Sequence, residues 1–317
     1  MPSSRAVLAA LVALAACGGT HVDPSPVVDS GADVAFDADP GDATPDAASD
    51  APVDEGAPTH LRIMAANTTS GSGQDYELPG IRIFQGLLPD IVLIQEFAYA
   101  NGDLRSLVDT AFGTDFAFFV EPRVGGIPNG IVSRYPILAS GAWVDASVPD
   151  RAFAWARIDV PGSIDLWAVS LHLLTTGGTA RNTEAAQLVA YLASNVPKGD
   201  YLVVGGDLNT ETDVEPALST LAGAVVLAPP YPADANGNRN TSINRNKPHD
   251  WLFARANLDV LQTPVVIGAA SFAGGLVFDS RVYTPLADVA PILLGDSAVS
   301  GMQHMPVVRE FVVGGGK

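Results

Sequence analysis

Cysteine is all but missing from this chain of 317 residues: Cys17 is the only one. No disulfide can form within a monomer. Basic residues are scarce too, 17 Lys and Arg against 35 Asp and Glu, for a formal net charge of −18. Such a balance provides no basic face for tight, non-specific nucleic-acid binding. It does not exclude an enzyme that meets nucleic acid briefly through bound cations. The leader's apolar run, AVLAALVALAA at residues 6–16, is too short to span a bilayer. What is plentiful is apolar residue, 47% of the chain and ample for a core.

The acidic excess is unevenly spread. Residues 18–58 hold ten Asp or Glu and no Lys or Arg, and without them and Arg5 the remainder has 25 acids and 16 bases. Low hydrophobicity with charge of one sign cannot offset chain entropy, so 18–58 is expected to be a disordered, self-repelling acidic tether. Before it, MPSSR carries one positive charge, the apolar run follows, and Cys17 comes at once in LAAC-GG. This resembles a bacterial lipoprotein lipobox. The resemblance implies a signal over 1–17, lipidation at Cys17, and a folded domain over 59–317 anchored at the cell envelope. The outer membrane, facing the periplasm or the surface, is the expected place. The alternative is an ordinary secretory signal with an incidental cysteine.

From His60 onward short apolar runs alternate with polar punctuation. LRIMAAN, PDIVLIQEF, FAFFVEP, GIVSRYPIL, RAFAWARIDV, IDLWAVSLHLL, YLVVGGDLN, HDWLFAR and MPVVREFVV read as strands. ELPGIRIFQGLL reads as a helix despite its Pro and Gly, and TARNTEAAQLVAYLASN as an amphipathic one. Strands outnumber helices, and several follow each other too closely for a crossover. The expected fold is α/β, with two mixed, mainly antiparallel sheets flanked by helices. The Pro- and Asn-rich stretch 228–248 and the glycine-rich stretch 265–275 read as surface excursions.

Polar residues recur where those strands end: Asn67, Glu96, His172, Asp207, Asn209, Asp250 and His304. Each alone has an ordinary explanation, such as a turn, an edge charge or a satisfied core histidine. Seven placed alike on different strands do not. In LVVGGDLNT, Asp207 and Asn209 stand two apart, a spacing that turns both toward one face.

The motifs LRIMAAN, PDIVLIQE, NGIVSRYPI, VSLHL, GGDLN, HDWLF and QHMPV, in that order over residues 61–308, resemble the endonuclease/exonuclease/phosphatase superfamily with its deoxyribonuclease I-like fold. The resemblance implies a four-layer α/β sandwich and a Mg²⁺-dependent phosphoesterase, with Mn²⁺ or Ca²⁺ as alternative ions. It implies Glu96 as the main metal ligand with Asn67 beside it. Asp207 would orient or deprotonate the attacking water, and Asn209 and His172 would hold phosphoryl oxygens. His304 would act charged, oriented by Asp250. Arg151 is the candidate phosphate arginine, its alternative being a surface arginine at a strand start. Two departures stand out: Gln303 replaces the usual aspartate before the histidine, and Phe118, Phe119 and Glu121 occupy the place of a phosphate-contacting tyrosine. The expected activity is phosphodiester hydrolysis by a monomer, on nucleic acid in the first place. The alternatives are a phosphatase or phospholipase C-like hydrolase on the same fold, and a non-catalytic surface-binding module.

Overall fold

The computed structural model describes residues 57–122 and 126–314; the lipobox with Cys17 and nearly all of the expected tether lie outside the described residues. The elements in chain order are β1 (Thr59–Ala66), α1 (Leu78–Leu87), β2 (Ile91–Ile94), α2 (Leu104–Ala111), β3 (Ala117–Val120), β4 (Gly130–Ser133), β5 (Ile137–Val144), β6 (Ala152–Ile158), β7 (Leu166–His172), α3 (Gly178–Asn195), β8 (Tyr201–Asp207), α4 (Pro216–Leu221), β9 (Asp250–Ala254), α5 (Ala256–Asp259), β10 (Gln262–Thr263), β11 (Val265–Ile267), β12 (Ala270–Phe272), β13 (Leu276–Val277) and β14 (Val307–Val313).

Two mixed sheets dominate. One runs β10-β14-β1-β2-β4-β3, with β13 also on β14, and the other runs β5-β6-β7-β8-β9. Each has one parallel pair among antiparallel neighbours, β1 with β2 and β7 with β8. Each pair is joined by the helix that sequence periodicity predicts, α1 or α3. A parallel pair needs such a crossover, and it brings two carboxyl ends to the same edge of the sheet.

Alternation decides which side chains fill which layer. On β8 Val203 faces the other sheet, in one core with Ala156, Ala168 and Ala254, while Leu202 and Val204 face α3 and α4 with Leu188, Leu192 and Leu218. The centre of the first sheet is buried on both faces, as Ile91 to Ile94 show. That is the pattern of strands covered on two sides, and it matches the layered α/β architecture expected from the sequence.

Three local expectations need correction. GIVSRYPIL is not one strand: Ser133 Oγ accepts the Tyr135 N–H at 3.0 Å and donates to Tyr135 O at 2.8 Å, so the chain turns at Arg134–Pro136 and passes from the first sheet (β4) to the second (β5). The stretch 265–275 contains the antiparallel hairpin β11–β12. The stretch 228–248 is not a mere surface excursion, since Asp234, Thr241 and Ser242 are buried. Among the described residues no helix is long and apolar enough to cross a membrane.

Candidate active site

Strand register assembles half of the site. His172 pairs with Asp207 across β7 and β8, and Asp207 with Asp250 across β8 and β9, so three adjacent strands present these side chains in a row. Gly206 makes this possible. It sits at φ +138°, and a Cβ there would collide with the Leu171 carbonyl oxygen and the Gln95 amide. Only glycine takes that backbone so close to its neighbours.

The first sheet supplies the other half from the carboxyl ends of β1 and β2. Asn67 Nδ2 donates to Glu96 Oε1 at 3.2 Å and to Asp207 Oδ2 at 3.1 Å, bridging the two sheets at the site. Behind it, Gln95 Nε2 donates to Ser170 Oγ at 2.9 Å. Glu96 also accepts from Thr69 Oγ1 at 3.0 Å and Gln74 Nε2 at 3.1 Å. Glu96 is 1% exposed, which rules out the edge-charge explanation. Both Glu96 (φ 51°) and Asn209 (φ 50°) hold left-handed backbone just beyond a central strand. Such strain in non-glycine residues persists only where surroundings enforce it, and it clusters at functional sites.

The two histidines face the same carboxylate in opposite protonation states. His172 Nε2 lies 3.3 Å from Asp207 Oδ2. Burial lowers its pKa to about 4 and overcomes the pull of Asp207, while Arg151 and His304 lower it further. The contact therefore sets a neutral imidazole beside the carboxylate and is not an ion pair. His304 Nδ1 lies 2.8 Å from Asp250 Oδ2, and Nε2 lies 3.6 Å from Asp207 Oδ2. Burial alone would lower its pKa, but Asp207, Asp250 with its hydrogen bond, and Glu96 hold it up at about 10. His304 is thus an imidazolium oriented by Asp250.

Glu96 has its carboxyl raised by burial and by nearby Asp207, against the hydrogen bonds of Asn67 and Thr69. Asn67 Oδ1 is buried with no hydrogen-bond partner. An orphaned acceptor beside crowded carboxylates is what a hard cation would complete, and oxygen donors suit Mg²⁺, Mn²⁺ or Ca²⁺. Donor atoms of Asp207, Asp250 and His304 also lie within 4.8 Å of one another. There, however, one of the donors is an imidazole nitrogen, which suits a hard cation less than oxygen does. Glu96 and Asn67 are the better pair.

The site thus gathers Asn67, Glu96, His172, Asp207, Asp250 and His304. Asn209 is adjacent: its N–H donates to Asp207 Oδ1 at 2.9 Å, and one amide hydrogen is spent on Leu173 O at 3.0 Å. Arg151 is not a surface arginine, since its side chain is 7% exposed. Its Nε is buried without a partner, its nearest carboxylate contact is 4.0 Å from Asp150, and its charge is felt at His172. Glu121, in the place of the expected tyrosine, accepts the N–H groups of Asn129 at 2.7 Å and Ala152 at 2.8 Å. It joins β6 to the β3–β4 connection, with its pKa raised to about 7 by burial. Thr69, Gln74 and His249 escape sequence reasoning. The His249 ring lies 5.2 Å from that of His304, and its place next to Asp250 in HDWLF was the one available signal.

A family model described as Endonuclease/Exonuclease/phosphatase family matches residues 81–278. Among solved structures, a functionally unknown conserved protein from Enterococcus faecalis has TM-score 0.55 at 12% identity, over 80% of this chain and 99% of that one. An endonuclease/exonuclease/phosphatase from Beutenbergia cavernae has TM-score 0.51 at 16% identity, over 79% and 71%. Truncated TDP2 from Caenorhabditis elegans has TM-score 0.51 at 15% identity, over 80% and 98%. At such identities the likeness concerns the fold. No curated protein sequence matches the chain.

Proposed function

The chain belongs to the endonuclease/exonuclease/phosphatase family, and on that premise we propose that it is a divalent-metal-dependent phosphodiesterase, a nuclease in the first place. The observation that carries the reading is the convergence of Asn67, His172 and His304 on one carboxylate, Asp207, with Glu96 bound to Asn67 and Asp250 behind His304; burial drives the His172 pKa down while the carboxylates drive that of His304 up. Groups whose environments drive their pKa values apart mark acid and base roles.

Asp207 accepts a proton from the attacking water, or orients it, with Asn209 backing its other oxygen. The His304 imidazolium offers Nε2–H to a phosphoryl oxygen and stabilises the charge that grows there. His172 adds a neutral imidazole beside it, and Arg151, whose buried Nε has no partner, brings a positive charge that is felt at His172. Glu96 and Asn67 would hold the metal ion, whose positive charge neutralises phosphoryl oxygens when bound. An open polar cleft of about 410 Å³ is walled by Glu211, Asp213, Arg239, Asn240 and Asn246. Its lining begins two residues beyond Asn209 in the chain and ends at Pro248, two residues before Asp250.

We place this domain at the bacterial cell envelope on a lipid carried by Cys17, as a monomer on its acidic tether. A phospholipase C-like activity is the second reading, supported by that membrane tether. The deciding experiment is a panel of DNA, RNA, bis(p-nitrophenyl) phosphate and sphingomyelin with Mg²⁺, Mn²⁺ or Ca²⁺. Cleavage of DNA or RNA supports the nuclease. Turnover of sphingomyelin alone replaces it with the second reading, and inactivity on all four refutes both.

A further inference from the structure

Arg245 occupies a cage built by the segment expected to be a surface excursion. Asp234 Oδ1 accepts the N–H groups of Asn236 and Asn238 at 2.9 Å each, and Asn238 Oδ1 accepts that of Asn240 at 3.0 Å. These nested turns are the local bonding that Asp and Asn favour. The guanidinium fills their hollow. Its Nε donates to Asn240 O at 2.7 Å, and Nη2 donates to Asp234 Oδ2 at 2.8 Å and Asn238 O at 3.3 Å. Its Nη1 donates to Asp279 Oδ2 at 2.7 Å, beyond β13. Asp234 and Asp279 are buried, and Arg245 itself holds left-handed backbone at φ 56°. A planar fork of five donors fits such a cage, and a compact ammonium does not.

The far side of the same segment touches both members of the Asp250–His304 pair. Thr241 Oγ1 accepts the Asp250 N–H at 2.8 Å. Thr241 O accepts the Met305 N–H at 2.7 Å, and the Ile243 N–H donates to Gln303 O at 2.8 Å. These two bonds flank a bridge of Ser242 to His304. Residues 241–243 therefore set where the backbone of His304 lies, and Thr241 ties it to Asp250.

We propose that Arg245 is a positioning residue for the Asp250–His304 pair: by holding 234–245 in its cage it fixes Thr241 between the two. The proposal deepens the phosphoesterase reading and rests on it for its activity arm only. Misplacement by about 1 Å can cost about 10²-fold in rate.

The test compares full-length wild type, R245A and R245K on bis(p-nitrophenyl) phosphate with Mg²⁺, alongside thermal unfolding and the ¹H–¹⁵N spectrum of the His304 imidazole. We expect kcat to fall by about 10²-fold in both variants with KM little changed, and the His304 Nδ1 signal to leave its hydrogen-bonded position. Free guanidinium at millimolar concentration should restore kcat in R245A, and ammonium should not. A folded R245A with wild-type kcat, or with an unmoved His304 signal, overturns the proposal. Should both Arg245 variants fail to fold, Thr241→Val removes only the hydroxyl at the end of the contact chain, and an unmoved His304 signal there overturns it equally. Wild-type protein inactive on every phosphoester refutes the proposed function, while the spectrum still decides the role of Arg245.

Discussion

Replacing Asp250 by Asn keeps the shape of the site and removes one charge and its ionic hydrogen bond. Holding His304 at about 10 instead of 6.5 amounts to roughly 5 kcal/mol in favour of the imidazolium, at ~1.36 kcal/mol per pH unit. Asp207, Asp250 and Glu96 share that preference, and a hydrogen bond to a charged group accounts for about 1.5–3 kcal/mol of it. The imidazole should then titrate about 1–2 pH units lower in the variant. The folded pKa is raised, so the stabilisation is full below pH 6.5 and is lost as pH rises through about 10. The substitution lowers the upper edge of this window. In pH–rate profiles on bis(p-nitrophenyl) phosphate at saturating metal, the alkaline limb should move down by about 1–2 pH units. The rate near neutrality should fall about 10²–10³-fold. Profiles that overlay, or a rate within about threefold of wild type, would mean that His304 does not depend on Asp250.

Chelation should abolish turnover, with Mg²⁺ or Mn²⁺ restoring it, and Glu96→Gln should raise the metal concentration needed for half-maximal activity before it lowers the limiting rate; full turnover in excess EDTA defeats this. Gly206→Ala should destabilise the fold by ~2–4 kcal/mol in urea unfolding, through its positive φ and the clash with Leu171 O; an unchanged midpoint counts against the packing described. Gln303→Asp should change the rate far less than Asp250→Asn, because Gln303 serves the site through its backbone carbonyl, which accepts from Ile243; comparable losses would reverse the assignment of His304's partner. Cys17→Ser should move the protein from the membrane fraction to the soluble one and leave activity intact; a wild type already soluble with its own leader removes the lipid anchor from the picture.

The parts legible in the sequence were those that follow a local rule. Strands ending in Asn67, Glu96, His172 and Asp207 stood out because an apolar run stopped at a residue that burial disfavours. The GGD of β8 stood out because two glycines in a buried strand need a reason. Less was visible where the reason lies elsewhere in the chain. The helix α2 has its Asp103 side chain accepting the Ser106 N–H at 2.8 Å, a cap that a sequence of mixed polarity hides. On α3, Arg181 pairs with Glu215 at 2.8 Å and Glu184 accepts the Leu174 N–H at 3.2 Å. Both lie in the expected amphipathic helix, where nothing local marks them out, yet they are buried and secure the turn after His172. Arg245 looked like one more polar residue in an Asn-rich loop, because its carboxylates are distant in sequence.

The pairing of β1 with β14 ties the assembly of the fold to the arming of the chemistry. The first strand of the first sheet finds its second neighbour only when β14 returns from the far end of the domain, and such long-range pairing forms slowly. The segment that leads into β14 also carries His304. A chain that has formed β1 to β9, with Glu96, Asp207 and Asp250 in place, still lacks the imidazolium that bridges two of those carboxylates. The cluster around Asp207 is thus completed only when the last strand closes the first sheet, since His304 arrives with it.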